Sequence, residues 1–453
     1  MTLSSHIKDT VRLSLPVMIS RAGILTMILI DTVMVGRFSA DELAYQAIGW
    51  APVVVLTTAG VGLLLGTMVV TANALGRNEL AGCGLAWRRG MTMAAGIGVV
   101  AATLCQFGPA FLAATGQSVE LSVQGGRVVA ILGLSLPATY LFVATTFSLE
   151  GLKRPVPAMW VMLGANLLNI ACNWALIYGN LGFEAMGAEG AAWSTVIVRW
   201  GQVLALVMIL LTMADAETMG FRARGWRIGQ WADWQRQRAI GYASALSILA
   251  ESVSFATLAI MAGWLGNAQI AAYNIAHNVL ATMFMVALGI GSATSVRVGV
   301  AHGQADHRNL AMAGWTGLGV NTVLMACFGV ALWALAPLVA NGFTTDPEVL
   351  ALATIAMAIV PWLLIVDGGQ VVMANAARGR SDIWVPTLIQ FVAYCLIMVP
   401  MGYLFGISWG YGIDGLFYAI LLGSGAAVTL QCVRFGWLSR LDQRYGLAAA
   451  SGF

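Results

Sequence analysis

Twelve apolar stretches, separated by charged or turn-forming clusters, constrain this chain more than any other feature. They fall near residues 14–36, 44–75, 90–115, 119–151, 155–178, 187–213, 240–264, 271–302, 311–340, 348–377, 384–405 and 413–436. A helix crosses the hydrocarbon core with about 20 apolar residues, so each stretch is a candidate span. Hydrophobic residues make up 59% of the 453 and charged residues 9%, with a mean hydropathy of +0.82. That is too little charge for a water-facing surface, since soluble domains carry roughly 25% charged residues. It also excludes disorder, which needs low hydrophobicity and high net charge. The chain reads as an all-α polytopic membrane protein.

The few charges sort by side. With the N-terminus inside, the cytoplasmic connections and termini collect most of the 23 Lys and Arg, among them Lys8, Arg12, Arg77, Arg88, Arg89, Arg297, Arg308, Arg378 and Arg380. The other side collects Asp41, Glu42, Glu120, Glu184, Glu189, Asp346, Glu348 and Asp414. The positive-inside rule then places both termini in the cytoplasm. No small-residue cleavage site follows Lys8 and Arg12, so the first stretch reads as a retained helix. Residues 214–238 form the longest hydrophilic segment, a basic, Trp-bearing linker expected to rest on the anionic leaflet. The net charge of +3 alone gives no argument for nucleic acid. The six cysteines are scattered without a CxxC and read as buried thiols, not a disulfide frame or metal site.

The linker separates an N-terminal six-helix lobe, 1–213, from a C-terminal six-helix lobe with a short cytoplasmic tail, 239–453. The lobes resemble each other. VGLLLGTMVVTANALGRNE from Val61 pairs with LGIGSATSVRVGVAHGQAD from Leu288 at an offset of 227, matching Gly62 with Gly289 and Thr67 with Thr294. Met34-Val35-Gly36 pairs with Met261-Ala262-Gly263 at the same offset. An even number of helices per lobe inserts both the same way up. The two lobes are therefore expected to be related by a pseudo-two-fold axis along the membrane normal, with a cavity between them.

Intramembrane acids are functional candidates by default, because a charge at mid-bilayer costs at least ~2.5–3.5 kcal/mol. Of the 20 Asp and Glu, Asp31, Glu251 and Asp367 lie well inside predicted helices. Each has a plainer reading as the partner of an Arg such as Arg21 or Arg199. Near Asp31 in depth lie Asn169 and Asn173, on one face of helix 5 with Asn166, and Thr195 in helix 6. That set suits Na⁺ or a protonatable acid with hydrogen-bond partners. Interhelical hydrogen bonding is the simpler role for the asparagines. Glu251 lies on a stripe with Ser244, Ser247 and Ser254, and Asp367 has Gln370 one turn on. The two acids form a plausible shared cation site, Na⁺ included. Gln46 and Asn274 occupy similar places in the two halves and are candidates for lining the cavity. His277 is a weaker one, since a lone helical His is more often simply packed. The Gly62/Gly66 spacing reads as close helix packing. Without a P-loop, GxSxG or HExxH, neither ATP-driven transport nor enzyme chemistry has a motif to stand on.

MILIDTVMVGRFSADEL, VVTANALGRNE, LNIACNWALIYG, AAYNIAHNVLATMFMVALGIGSATSVRVG and VDGGQVVMANAARGRSD resemble segments of the multidrug and toxic compound extrusion (MATE) family, and the likeness runs from helix 1 to helix 11. The bacterial NorM-like branch is the most similar, because Glu251 in helix 7 accompanies Asp367 in helix 10. The resemblance implies a secondary antiporter in the bacterial inner membrane. It would export amphipathic, often cationic compounds against H⁺ or Na⁺ by alternating access, as a monomer, with no cofactor, ATP or nucleic acid. It also implies that Asp31, Asn169, Asn173 and Thr195 match the family's N-lobe cation or proton site, and that Glu251 and Asp367 match its C-lobe cation site. The alternative is a lipid or lipid-linked-sugar flippase. A cavity for anionic headgroups should hold several basic residues, whereas Arg21 and Arg199 here face three acids. The sidedness predicts that green fluorescent protein fused to the C-terminus will fluoresce, and that alkaline phosphatase inserted at Asp346 will be active. An active phosphatase at the C-terminus would reverse the topology.

Overall fold

In hydrocarbon each backbone N–H and C=O must find its partner inside its own segment, and the helix does this residue by residue. The computed structural model describes residues 3–223, 225–344 and 346–445, and every regular element among them is helical. Arg224 and the tail 446–453 lie outside the described residues. Among the described residues, eleven helices are long and apolar enough to cross a membrane, and a bent pair counted as one span gives a twelfth. They are α1 (Leu3–Phe38), α2 (Ala40–Gly76), α3 (Leu80–Cys105 with Gly108–Ala114), α4 (Val119–Gly151), α5 (Val156–Leu176), α6 (Gly187–Thr212), α7 (Trp231–Trp264), α8 (Asn267–Gly303), α9 (His307–Phe343), α10 (Pro347–Gly379), α11 (Trp384–Ser408) and α12 (Gly412–Arg444).

Several helices exceed the apolar stretches that announced them. α1, α3, α7 and α9 begin at Leu3, Leu80, Trp231 and His307, well before residues 14, 90, 240 and 311. Hydropathy registers only the part that needs lipid, while a helix continues into the interface wherever polar residues can face water. α3 bends by 58° between Cys105 and Gly108. Pro109 follows that break, lacks an N–H and disfavours helical geometry in the residue before it.

The chain forms two compact units, Ile19–Ala245 and Met1–Met18 with Leu246–Phe453. The division does not fall at the linker. It cuts α1 after Met18 and α7 after Ala245, two positions that differ by the same 227 that aligns the repeats. The N-terminal part of each repeat's first helix thus packs with the other repeat's helices.

Glycines make this possible in the same way in both units. A Cβ on Gly62 would lie 2.6 Å from Ala245 Cα, and one on Gly289 would lie 2.4 Å from Met18 Cγ. Gly90 is closed by Thr67 Oγ1 at 2.5 Å, and Gly317 by Thr294 Oγ1 at 2.1 Å. Both members of each pair are again related by 227. The Gly62/Gly66 spacing therefore has its predicted packing role, with α7 as the neighbour. In the unit containing residues 1–18, Arg297 donates to Thr10 Oγ1 and to His6 Nδ1, and His6 Nε2–H donates to Asn309 Oδ1 at 3.2 Å.

The linker is tied down by its backbone. Arg88 donates to the carbonyls of Gly220 and Arg227, and Arg89 to those of Ile228 and Asp233. Trp87 packs edge-on against Phe221 and Trp226. Arg154 grips Asp215 through both oxygens at 2.9 and 2.6 Å, which holds that carboxyl below the usual range. Trp226 and Trp231 remain exposed.

Filling either glycine contact forces backbone to move. Gly62→Leu and Gly289→Leu should each destabilise the protein by about 1–3 kcal/mol or more, seen as a lower melting temperature in detergent. Gly164→Leu, where a Cβ meets nothing within 4 Å, should leave it nearly unchanged.

Candidate functional site

The Ile19–Ala245 unit carries the first buried acid. Asp31 is 2% exposed on α1, facing α5 and α6. Asn169 and Asn173, one turn apart on α5, both donate Nδ2–H to Asp31 Oδ1, at 3.0 and 2.6 Å. Asn173 Nδ2 also lies 3.3 Å from Asn169 Oδ1. On α6, Thr195 Oγ1 stands 3.5 Å from Asp31 Oδ2 and 3.1 Å from the Ala191 carbonyl. The four residues grouped by depth and helical spacing therefore do meet. The amides turn nitrogen, not oxygen, toward the acid, so they serve as hydrogen-bond donors to a carboxylate, not as extra oxygen ligands. Asn166 takes no part; its amide donates to the Met162 carbonyl. Ser194, within 3.5 Å of Asn169 Nδ2, is a neighbour that sequence reading missed.

The basic residues considered as structural partners lie elsewhere. Arg21 sits over the Phe147 ring at 5.9 Å. Arg199 donates to Gln202 Oε1 at 3.1 Å and acts on Asp31 only through longer-range charge. Gln46 is buried on α2 and does not join the Asp31 group.

The other unit carries the remaining two acids. Asp367, 3% exposed on α10, accepts at Oδ1 from Ser424 Oγ at 2.9 Å and Tyr394 OH at 3.2 Å. Sequence reading found neither donor. Tyr394 lies on α11 where Val392–Met398 winds as a π-helix, ahead of Pro400. Such stretches rotate the following side chains off the 3.6-residue pattern. Gln370 is fully buried and accepts from Gln390 Nε2 at 3.0 Å.

Glu251 is half-buried on α7. Its stripe faces α11: Ser247 Oγ is 3.2 Å from Thr387 Oγ1, and Ser254 Oγ is 3.6 Å from Cys395 Sγ. The charges that act on Glu251 are those of Asp367 and Arg378. His277 is held between rings, stacked on Tyr273 at 5.7 Å and tilted on Phe255 at 5.3 Å, which is the packed role. Asn274, one turn before it, is exposed and apart from the acids.

Known proteins resemble this chain in sequence and in fold. The profile of the MatE family matches residues 16–175 and 243–404. The probable multidrug resistance protein NorM of Caulobacter vibrioides is 38% identical over 443 residues, covering 98% of this chain and 94% of that one. The multidrug resistance protein PmpM of Pseudomonas aeruginosa is 30% identical, covering 98% and 93%. Among solved structures, an outward-facing multidrug resistance MATE family transporter of the MOP superfamily superposes with a TM-score of 0.86 at 20% identity, covering 99% and 97%. The eukaryotic MATE transporter AtDTX14 does so with a TM-score of 0.85 at 18% identity, covering 95% and 96%. With both halves matched in sequence and the whole helical fold matched in space, the chain belongs to the MatE family of multi-pass membrane transporters, in the neighbourhood of its bacterial NorM members.

Proposed function

We propose that this protein is a secondary active multidrug efflux antiporter of the bacterial inner membrane. It exports amphipathic, often cationic compounds in exchange for H⁺ or Na⁺, by alternating access and without ATP. The observation that carries this reading is the placement of three carboxylates in span interiors, Asp31 and Asp367 buried and Glu251 half-buried, in two separate groups. At Asp31 and Asp367 the direct partners are neutral amides and hydroxyls. A carboxylate held by neutral donors keeps its charge available to a mobile cation, whereas one locked to an arginine does not. The names carried by the Caulobacter and Pseudomonas relatives favour drug cargo.

Coupling follows from competition. A cationic compound and the driving ion seek the same negative charge, so binding one displaces the other. At Asp31 the three donors suit a carboxyl that cycles between protonated and charged forms, because they support the anion once the proton leaves. Glu251 and Asp367 together offer the anionic oxygens that a hard cation takes. A potential of 100 mV supplies about 2.3 kcal/mol per charge moved, and each pH unit another ~1.4 kcal/mol. One driving ion thus sustains a drug gradient of about one to three orders of magnitude.

In proteoliposomes with an imposed H⁺ or Na⁺ gradient, wild type should extrude ethidium only while the gradient lasts. Asp31→Asn and Asp367→Asn should each lower the rate at least ten-fold; full rates in both would end the coupling reading. Asn173→Leu removes the shortest donor to Asp31 and should cost about ten-fold, as expected for a hydrogen bond to a charged group worth roughly 1.5–3 kcal/mol. Asn166→Leu, on the same face but two turns from Asn173 and bonded to the Met162 carbonyl, should change the rate less than two-fold. Equal losses in the two asparagine variants would mean that α5 needs polar residues only for packing.

A further inference from the structure

The second acidic group contains a buried cation to which the antiport reading gives no part. Arg378, near the cytoplasmic end of α10, lies on the same face as Asp367 and is 5% exposed. The charge sidedness of the sequence counted it as a loop residue, but α10 continues to Gly379 and takes it inside. Its Nη2 donates to Gln390 Oε1 at 3.1 Å, and Gln390 Nε2 donates to Gln370 Oε1 at 3.0 Å. Gln370 stands one turn from Asp367. Two neutral amides therefore bridge the guanidinium to the acid's helical turn. On the facing side, Ser247 reaches Thr387 and Ser254 reaches Cys395, so Glu251, between those serines on α7, looks toward the α11 face that holds Gln390 and Tyr394. Arg378 and Asp367 are its charged neighbours.

Burying a guanidinium costs several kcal/mol unless opposite charge compensates it. The direct partner of Arg378 is an amide, and the acid whose charge acts on it is Glu251. Two acids and one guanidinium leave a formal charge of minus one. We propose that Arg378 is a fixed internal counter-cation that cancels Glu251, so that the Glu251/Asp367 group takes up one exchangeable positive charge per cycle instead of two. Arginine fits that role better than lysine: its planar fork is pinned by Gln390 and it stays charged at any physiological pH. Arg378 is a positioning residue in this scheme and touches neither drug nor driving ion.

The inference rests on the antiport reading, and one experiment separates the two. In proteoliposomes under an imposed membrane potential, the ethidium gradient at which net flux stops reports the number of charges moved per ethidium. If wild type shows no ion-driven flux, the antiport reading falls and the proposal falls with it. If wild type moves n charges, Arg378→Gln should move n + 1, raising the limiting gradient about 50-fold at 100 mV. Glu251→Gln should lower it by the same factor. The double variant Glu251→Gln/Arg378→Gln should return to n at a reduced rate, and Arg378→Lys should stay at n. Should the single arginine variant fail to fold, the double variant carries the test, because it leaves no uncompensated guanidinium or glutamate behind. An unchanged n in Arg378→Gln, or a double variant that folds but does not return to n, overturns the proposal while leaving antiport intact.

Discussion

The cost of holding a carboxylate away from water shapes this protein at every level. A charge at mid-bilayer needs at least ~2.5–3.5 kcal/mol of compensation, and the chain supplies it in two different ways. Around Asp31 it uses three neutral side chains from two other helices. Around Asp367 it uses a tyrosine and a serine, with a second acid and a buried arginine in the same unit. These requirements fix which faces of α1, α5 and α6, and of α7, α10, α11 and α12, must turn inward. Lipid contact then falls to the apolar faces that remain.

Packing around these groups depends on small residues repeated at a constant interval. Gly62 and Gly289 admit Ala245 and Met18 against bare backbone, and Gly90 and Gly317 admit Thr67 and Thr294. Apolar side chains gain little by leaving lipid for one another, so close approach and dispersion hold membrane helices together. A duplicated pattern of glycines therefore produces a duplicated pattern of helix contacts. The acids escape this duplication: the repeat places Ile24 against Glu251 and Leu258 against Asp31. The two units share a scaffold but not a chemistry.

The Asp31 group was legible because its members sit at regular helical spacing and at matching depth, and both can be counted from span ends. Tyr394, Ser424 and Gln390 were not. Tyrosine and serine are common in apolar spans, and the π-helical stretch from Val392 to Met398 moves side chains off the face that a 3.6-residue period predicts. Arg378 was misplaced for a related reason: charge sidedness reads a basic residue near a span end as a loop residue, and burial is invisible to it. His277, half-buried, has the rings of Tyr273 and Phe255 as neighbours.

From sequence alone came the helical membrane class, the six-plus-six duplication, and the short set of acids in the wrong solvent. These depend on composition and period, which are properties of the chain as written. Only the tertiary structure decided where the two compact units divide. The linker looks like the boundary because it is polar, yet contact follows the glycines and cuts α1 and α7 at positions 227 apart. Only the tertiary structure, likewise, decided what each acid meets, since a hydrogen bond between helices depends on rotation and depth that no single segment encodes.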